Sequence, residues 1–235
     1  MDPEIEDIGL IAALAARQKA SPDKEAIIFV DGPVWTWTEL QDLSTTQANA
    51  LTAAQIGSLS TTVLNNLSTT QIAALTTTQV QGLTTTQLNG IGTTSLDALI
   101  ASKLSTTQVG GLTTTTFGKL TATQVSALTA AEIARLSSGQ IDQLTSTELQ
   151  NLSTTQAGAL TATQIGSLST TVLNSLSTTQ IGALTTTQVQ GLTTTQLNGI
   201  GTTSLDALSV AKLSTTQVGG LTTTTFGKLT AAQVS

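Results

Sequence analysis

The residues in this chain that could do chemistry are few. Glu132, Asp142 and Glu148 form the closest run of carboxylates beyond residue 42, ten and six residues apart. Clustered oxygens at loop spacing, or a Gly-Gly-x-Gly-x-Asp series, would suit calcium. These three fall on separate repeats instead, so charges on solvated faces are expected. Gly110-Gly111 and Gly219-Gly220 are the spots where a backbone could approach a phosphate. No Lys-Ser or Lys-Thr follows them in the required frame, so they read as turns of a repeat. Trp35 and Trp37 flank Thr36 and share one strand face. They could form a ligand platform, but packing inside a small cap is the expected use. Long rows of Ser and Thr could accept glycans, or present a hydroxyl lattice to a glycan or to ice.

Composition narrows this further. The chain has 235 residues and lacks His, Cys and Tyr. The commonest general base and the thiol nucleophile are therefore missing, and Cys/His zinc sites and thiol redox chemistry are excluded. The expectation is no catalytic, cofactor-binding or metal residue, and no cofactor. The net charge of −6 sits in the first 42 residues, which hold nine acids against three bases. The remainder holds five of each and so has no electrostatic footprint for nucleic acid. No apolar run is long enough to span a bilayer, so no membrane insertion is expected. Met1 to Asp7 is acidic and lacks the basic opening of a secretory signal.

The elements that position these residues are repeats. Leu67-Ser68-Thr69-Thr70-Gln71-Ile72-Ala73-Ala74 is followed by Leu75-Thr76-Thr77-Thr78-Gln79-Val80-Gln81-Gly82, and the pattern L-[ST]-T-T-Q-[IVL]-x-[GAS] continues. Positions in this octad are called places one to eight below. A longer period lies on top: Leu43 matches Leu152, Ile91 matches Ile200 and Phe117 matches Phe226, each 109 residues apart. The chain therefore divides into a head of residues 1–42, a first array copy of residues 43–151 and a second copy of residues 152–235. Within each copy one unit gains five residues, at Ile91 to Lys103 and at Ile200 to Lys212.

Apolar residues at places one and six fit neither strand alternation nor a continuous helix. Each octad therefore contains its own turn. Ser or Thr at place two with Gln at place five is a capping box, and the apolar pair flanking it is the hydrophobic staple. Gly or Ala at places seven and eight lets the chain leave the helix, with Gly entering the left-handed region. One octad is too short to be stable alone, so the fold class expected is mainly α, a solenoid of short helical turns. Phe117 and Phe226 occupy place six and are expected in its core. Thr94-Ser95-Leu96-Asp97 reads as an acidic capping box for a longer helix in the extended unit. There Leu96, Leu99 and Ile100 would share one face, and Lys103 would sit near the C-terminal end. The rival is a β-solenoid with Thr ladders, since Thr and Val favour strands.

The head differs. Ile8 to Lys19 is helical in pattern, Ala26 to Val30 and Val34 to Thr38 are strand patterns, and Asp31-Gly32-Pro33 between them makes a hairpin. Glu39 and Leu40 read as the opening of another helix. Ala16-Arg17, Ser21-Pro22-Asp23-Lys24, Ala26 to Phe29 and Trp35-Thr36-Trp37-Thr38-Glu39-Leu40 resemble the N-terminus of adenylate-forming enzymes of the acyl-CoA synthetase type. The likeness continues weakly through Gln47-Ala48-Asn49-Ala50-Leu51 to Gly57, where that family has a helix. The phosphate loop, adenylate-binding motifs and catalytic Lys that the resemblance would imply have no counterpart after Leu51. The octads are similar to the Leu-Ser/Thr-x-x-Gln repeats of large bacterial surface proteins, adhesin-like ones among them. That resemblance implies a non-catalytic scaffold, stalk or spacer at the cell surface, with protein or glycan contacts through the repeat faces. A glycan- or ice-binding module and a truncated acyl-activating enzyme are the alternatives.

Overall fold

A computed structural model describes residues 26–28, 34–36, 48 and 51–234. In the head, Ala26–Ile28 and Val34–Thr36 pair antiparallel, with Ile27 opposite Trp35. This is the expected hairpin, over shorter strands. The helices expected at Ile8 to Lys19 and at Glu39, and the Trp37 side of the Trp pair, lie outside the described residues.

From residue 51 onward the described chain is helical, and the β-solenoid is overturned. The reason is where the threonines fall. In the octad that opens at Leu67, Ser68 is the N-cap (φ −64°, ψ 155°) and its hydroxyl accepts from the Gln71 amide. Gln71 returns a bond to the Ser68 backbone N–H, completing the box. Thr69 and Thr70 then occupy the first two helical positions and are exposed. Threonine is a poor residue for a helix interior but a good cap, and the first turn asks little of its branched side chain. Such a cap contributes about 1 kcal/mol. The helix runs Thr69–Ala74 and stops at Leu75, whose φ of −54° and ψ of 132° turn the chain outward. That leucine closes one helix and precedes the N-cap of the next. Two extended residues thus separate this helix from the next.

The exit therefore needs no left-handed glycine. Among the described residues no glycine has positive φ, contrary to the sequence expectation. Glycine serves close approach instead. A Cβ on Gly82 would lie 2.4 Å from the Ala53 carbonyl oxygen, and one on Gly191 would lie 2.4 Å from that of Ala162.

The helices stack three octads apart. The chain forms two compact units, residues 1–112 and 113–235. In the first, Ala53–Ser58 packs on Thr77–Gly82, Thr61–Asn66 on Thr85–Gly90, and Thr69–Ala74 on Thr93–Ala98. In the second, Ala122–Ser126 packs on Ser146–Asn151, Ala130–Ile133 on Thr154–Gly158, and Thr154–Gly158 on Thr178–Ala183. Each unit is thus a solenoid whose turn is three segments. Places one and six form its core: Leu75, Leu88, Ile133, Ile141 and Val189 are all at most 1% exposed. Burying one such side chain stabilises by roughly 1.5–3 kcal/mol.

The extended unit is two segments, not one long helix. Thr93–Ala98 is an ordinary six-residue helix, and its N-cap Gly92 makes no side-chain cap bond, so the acidic box does not form. Leu99 ends it, and Ala101–Lys103 follows as a short 3-10 helix. Leu96 and Leu99 are buried, but Ile100 is 41% exposed, so the three do not share one face. Thr77–Gly82 packs on Ala101–Lys103, and Thr186–Gly191 on Val210–Lys212. Five residues thereby occupy the slot of an octad.

Candidate functional site

The place-five amides are the most organised polar groups among the described residues. Gln87 is 4% exposed. Its Oε1 accepts from the Thr84 backbone N–H at 2.7 Å and from the Thr84 hydroxyl at 3.1 Å. Its Nε2 donates to the carbonyls of Ile56 at 2.9 Å and Leu59 at 2.6 Å. All four of these bonds join elements that the octad must hold. The same register recurs: Gln79 reaches Ala48 and Leu51, Gln164 reaches Ile133 and Leu136, and Gln180 reaches Leu149 and Leu152. Each amide caps its own helix and ties it to the preceding turn. At Gln87 an apolar isostere would leave the Leu59 carbonyl and the Thr84 cap N–H without these partners, and the Ile56 carbonyl with only the Leu59 N–H.

Where the extended unit shortens the path, the spacing shortens with it. Gln108 reaches Val80 and Leu83, 28 and 25 residues back, instead of 31 and 28. The five-residue segment carries no Gln, and lysine replaces it. Lys103 Nζ donates to the carbonyls of Ala73 and Leu75, and Lys212 Nζ to those of Gly182 and Leu184. An ammonium has three donors and a long stem, so it can span a slot that lacks the usual helix.

Some octads lack Gln at place five and are served by Asn at place seven of an earlier one. Asn174 Oδ1 accepts from Gly201 N–H at 2.8 Å, and its Nδ2 donates to Gly199 at 3.2 Å. Asn198 does the same for Thr222 N–H at 2.9 Å and Gly220 at 3.0 Å. Ser204 and Thr225, at place five of the segments served, are too short to reach back. No sequence signal within the octad announces these clips, because the partners lie 22 to 27 residues apart.

The acids do not gather. Asp142 is exposed and Glu148 half-buried. Glu132 is only 3% exposed and takes the Gln place, capping Thr129 through its Oε2, so it is not a solvated face charge. Glu148 caps Thr145 in the same way, 2.7 Å from its N–H. Neither carboxylate supplies the two amide donors of a Gln. Among the described residues no group of three or more His, Cys, Asp or Glu could hold a metal ion. Gly110 ends a helix and Gly111 caps it in right-handed geometry, as repeat turns should. Phe117 is 2% exposed and in the core as expected, but Phe226 is 52% exposed. The Ser and Thr of places two to four are exposed, as at Ser68, Thr69 and Thr70, or half-buried, as at Thr61 and Thr85, at the starts of short helices, so they form no flat β lattice.

Three segments, residues 57–85, 133–170 and 165–194, match the ALTTAQ repeat family. Together they span under half of the chain, and they support a repeat array. No curated protein matches the chain. No helix among the described residues is long and apolar enough to cross a membrane.

Proposed function

We propose that the chain is a non-catalytic structural array, the stalk or spacer of a cell-surface, adhesin-like protein, with no catalytic, cofactor or metal residues. The observation that carries this reading is the double donation of the place-five amides to the preceding turn. Where Gln87, Gln164 or Gln180 stands at place five, the buried amide is engaged in holding the stack. A turn built this way meets only its neighbours, so turns can be added without redesign. The near-identity of residues 152–235 to residues 43–126, at an offset of 109, supports growth of that kind, with the copy of residues 43–151 as the unit of duplication. The ALTTAQ match supports the repeat character, and the surface context rests on the resemblance of the octads. The helical course of the Thr-rich octads takes away the lattice on which the ice reading stood.

Small-angle scattering on chains carrying one, two and three 109-residue copies tests the spacer. The expected result is a maximum dimension that rises by a constant increment per copy. A dimension that grows only as the cube root of mass would sink the reading. No ATP–pyrophosphate exchange is expected, and robust exchange would restore the enzyme alternative.

A further inference from the structure

The C-terminal end of the second unit exposes an apolar face that the rest of the array keeps covered. Phe226 is 52% and Val218 40% exposed, while Phe117 and Val109, their counterparts 109 residues earlier, are 2% and 0% exposed. Leu221 and Leu229 are half-buried, where Leu112 and Leu120 are buried. Polar groups show the same difference. The carbonyls of Val189 and Leu192 receive Gln217 Nε2 at 2.9 and 2.7 Å. Those of Val218 and Leu221 stand at the same places; Val218 O accepts the Leu221 backbone N–H at 3.2 Å, and among the described residues no side chain donates to either.

What covers this face in the first copy is visible. The helix Thr114–Phe117 packs on Ser138–Ile141, and Ile141 is fully buried. Residues 136–143 are an octad with Gln140 at place five and Ile141 at place six. We infer that the end formed by Val218, Leu221, Phe226 and Leu229 docks one further turn of the same repeat, placed in line with the chain. The octad that seats on Phe226 brings an apolar place-six side chain. The Gln beside it aims its amide at the Val218 and Leu221 carbonyls. A merely greasy partner would cover Phe226 but leave the Leu221 carbonyl dry and without a donor, and the Val218 carbonyl with only its backbone bond from Leu221 N–H. A Gln-Ile, Gln-Leu or Gln-Val pair at adjacent places meets both demands. The inference stands whether or not the array serves as a spacer, because it concerns only what fits the end.

The chain has no cysteine, so Val218→Cys supplies a single thiol at an already exposed position. Its rate of modification is read in the chain as it stands and in a chain where residues 127–151 are repeated after Ser235, with Val109→Cys as the buried reference. The expected result is free reaction in the present chain and a slowing of roughly tenfold or more in the extended one, since reaction then requires local opening. Changing the added place-five Gln to Ala should return part of the reactivity. Hydrogen exchange of residues 218–229, read without any cysteine, should slow in parallel. Unchanged thiol reactivity and exchange in the extended chain would overturn the inference. So would a thiol already protected in the present chain together with a sedimenting dimer, which would make a second copy the occupant.

Discussion

The side-chain amide of Gln87 donates to the carbonyl of Leu59, 28 residues earlier, across 2.6 Å. The same side chain caps its own helix through the Thr84 N–H. Gln87→Glu separates the two roles, because a carboxylate keeps the acceptor and loses the donor. The expected loss is about 1–3 kcal/mol, the usual cost of leaving a buried polar group unpaired. Gln87→Ala removes cap and tie together and should cost more. Denaturant melts of both variants check the order, and a Gln87→Glu variant as stable as the parent would show that the tie contributes nothing.

Glu148 offers the reverse change. Gln180, one array turn and one octad further on, reaches Leu149 and Leu152 at 31 and 28 residues back. The same offsets from residue 148 point to the carbonyls of Phe117 and Leu120. Glu148→Gln keeps the cap on Thr145 and gains donors toward them, so stability should rise by about 1 kcal/mol per bond formed. Differential scanning calorimetry reads this as a higher Tm. A Tm that falls would mean that the register is broken at this octad.

Two glycines that each end a helix should respond oppositely. A Cβ at Gly82 meets the Ala53 backbone at 2.4 Å, whereas one at Gly158 meets nothing within 4 Å. Gly82→Ala must push two turns apart and should cost roughly 1–3 kcal/mol, as overpacking does. Gly158→Ala should be neutral or stabilise by about 0.5–1 kcal/mol through helix propensity. Equal effects in thermal melts would refute close approach as the reason for Gly82.

Lys103 tests the five-residue segment. Lys103→Met keeps the stem but removes the ammonium that reaches the Ala73 and Leu75 carbonyls. Because the side chain is only half-buried, the expected loss is modest, about 1 kcal/mol. Lys103→Arg should retain most of the stability. Hydrogen exchange near Leu75 should quicken in the Met variant alone, and equal exchange in both variants would count against the bridge.

The octad itself determined a good deal. Ser or Thr at place two, Gln at place five and the apolar pair at places one and six set helix starts and caps, and these are interactions within five residues. Local chemistry of that range is legible in a sequence, and it outweighed the strand propensity of threonine because the threonines sit where caps and first turns need them. The three-segment turn was a tertiary outcome. It fixed which carbonyls, 25 to 31 residues away, receive each Gln amide, and it decided the close packing of Gly82 on Ala53. It also turned the longer helix read at Ile91 to Lys103 into a helix plus a five-residue bridge, because only the stack required that slot to be filled. Phe226 reads as core because it holds place six of its octad, yet it lies 52% exposed at the end of the described stack. A repeat states which face is apolar; only the packed neighbour decides whether that face is covered.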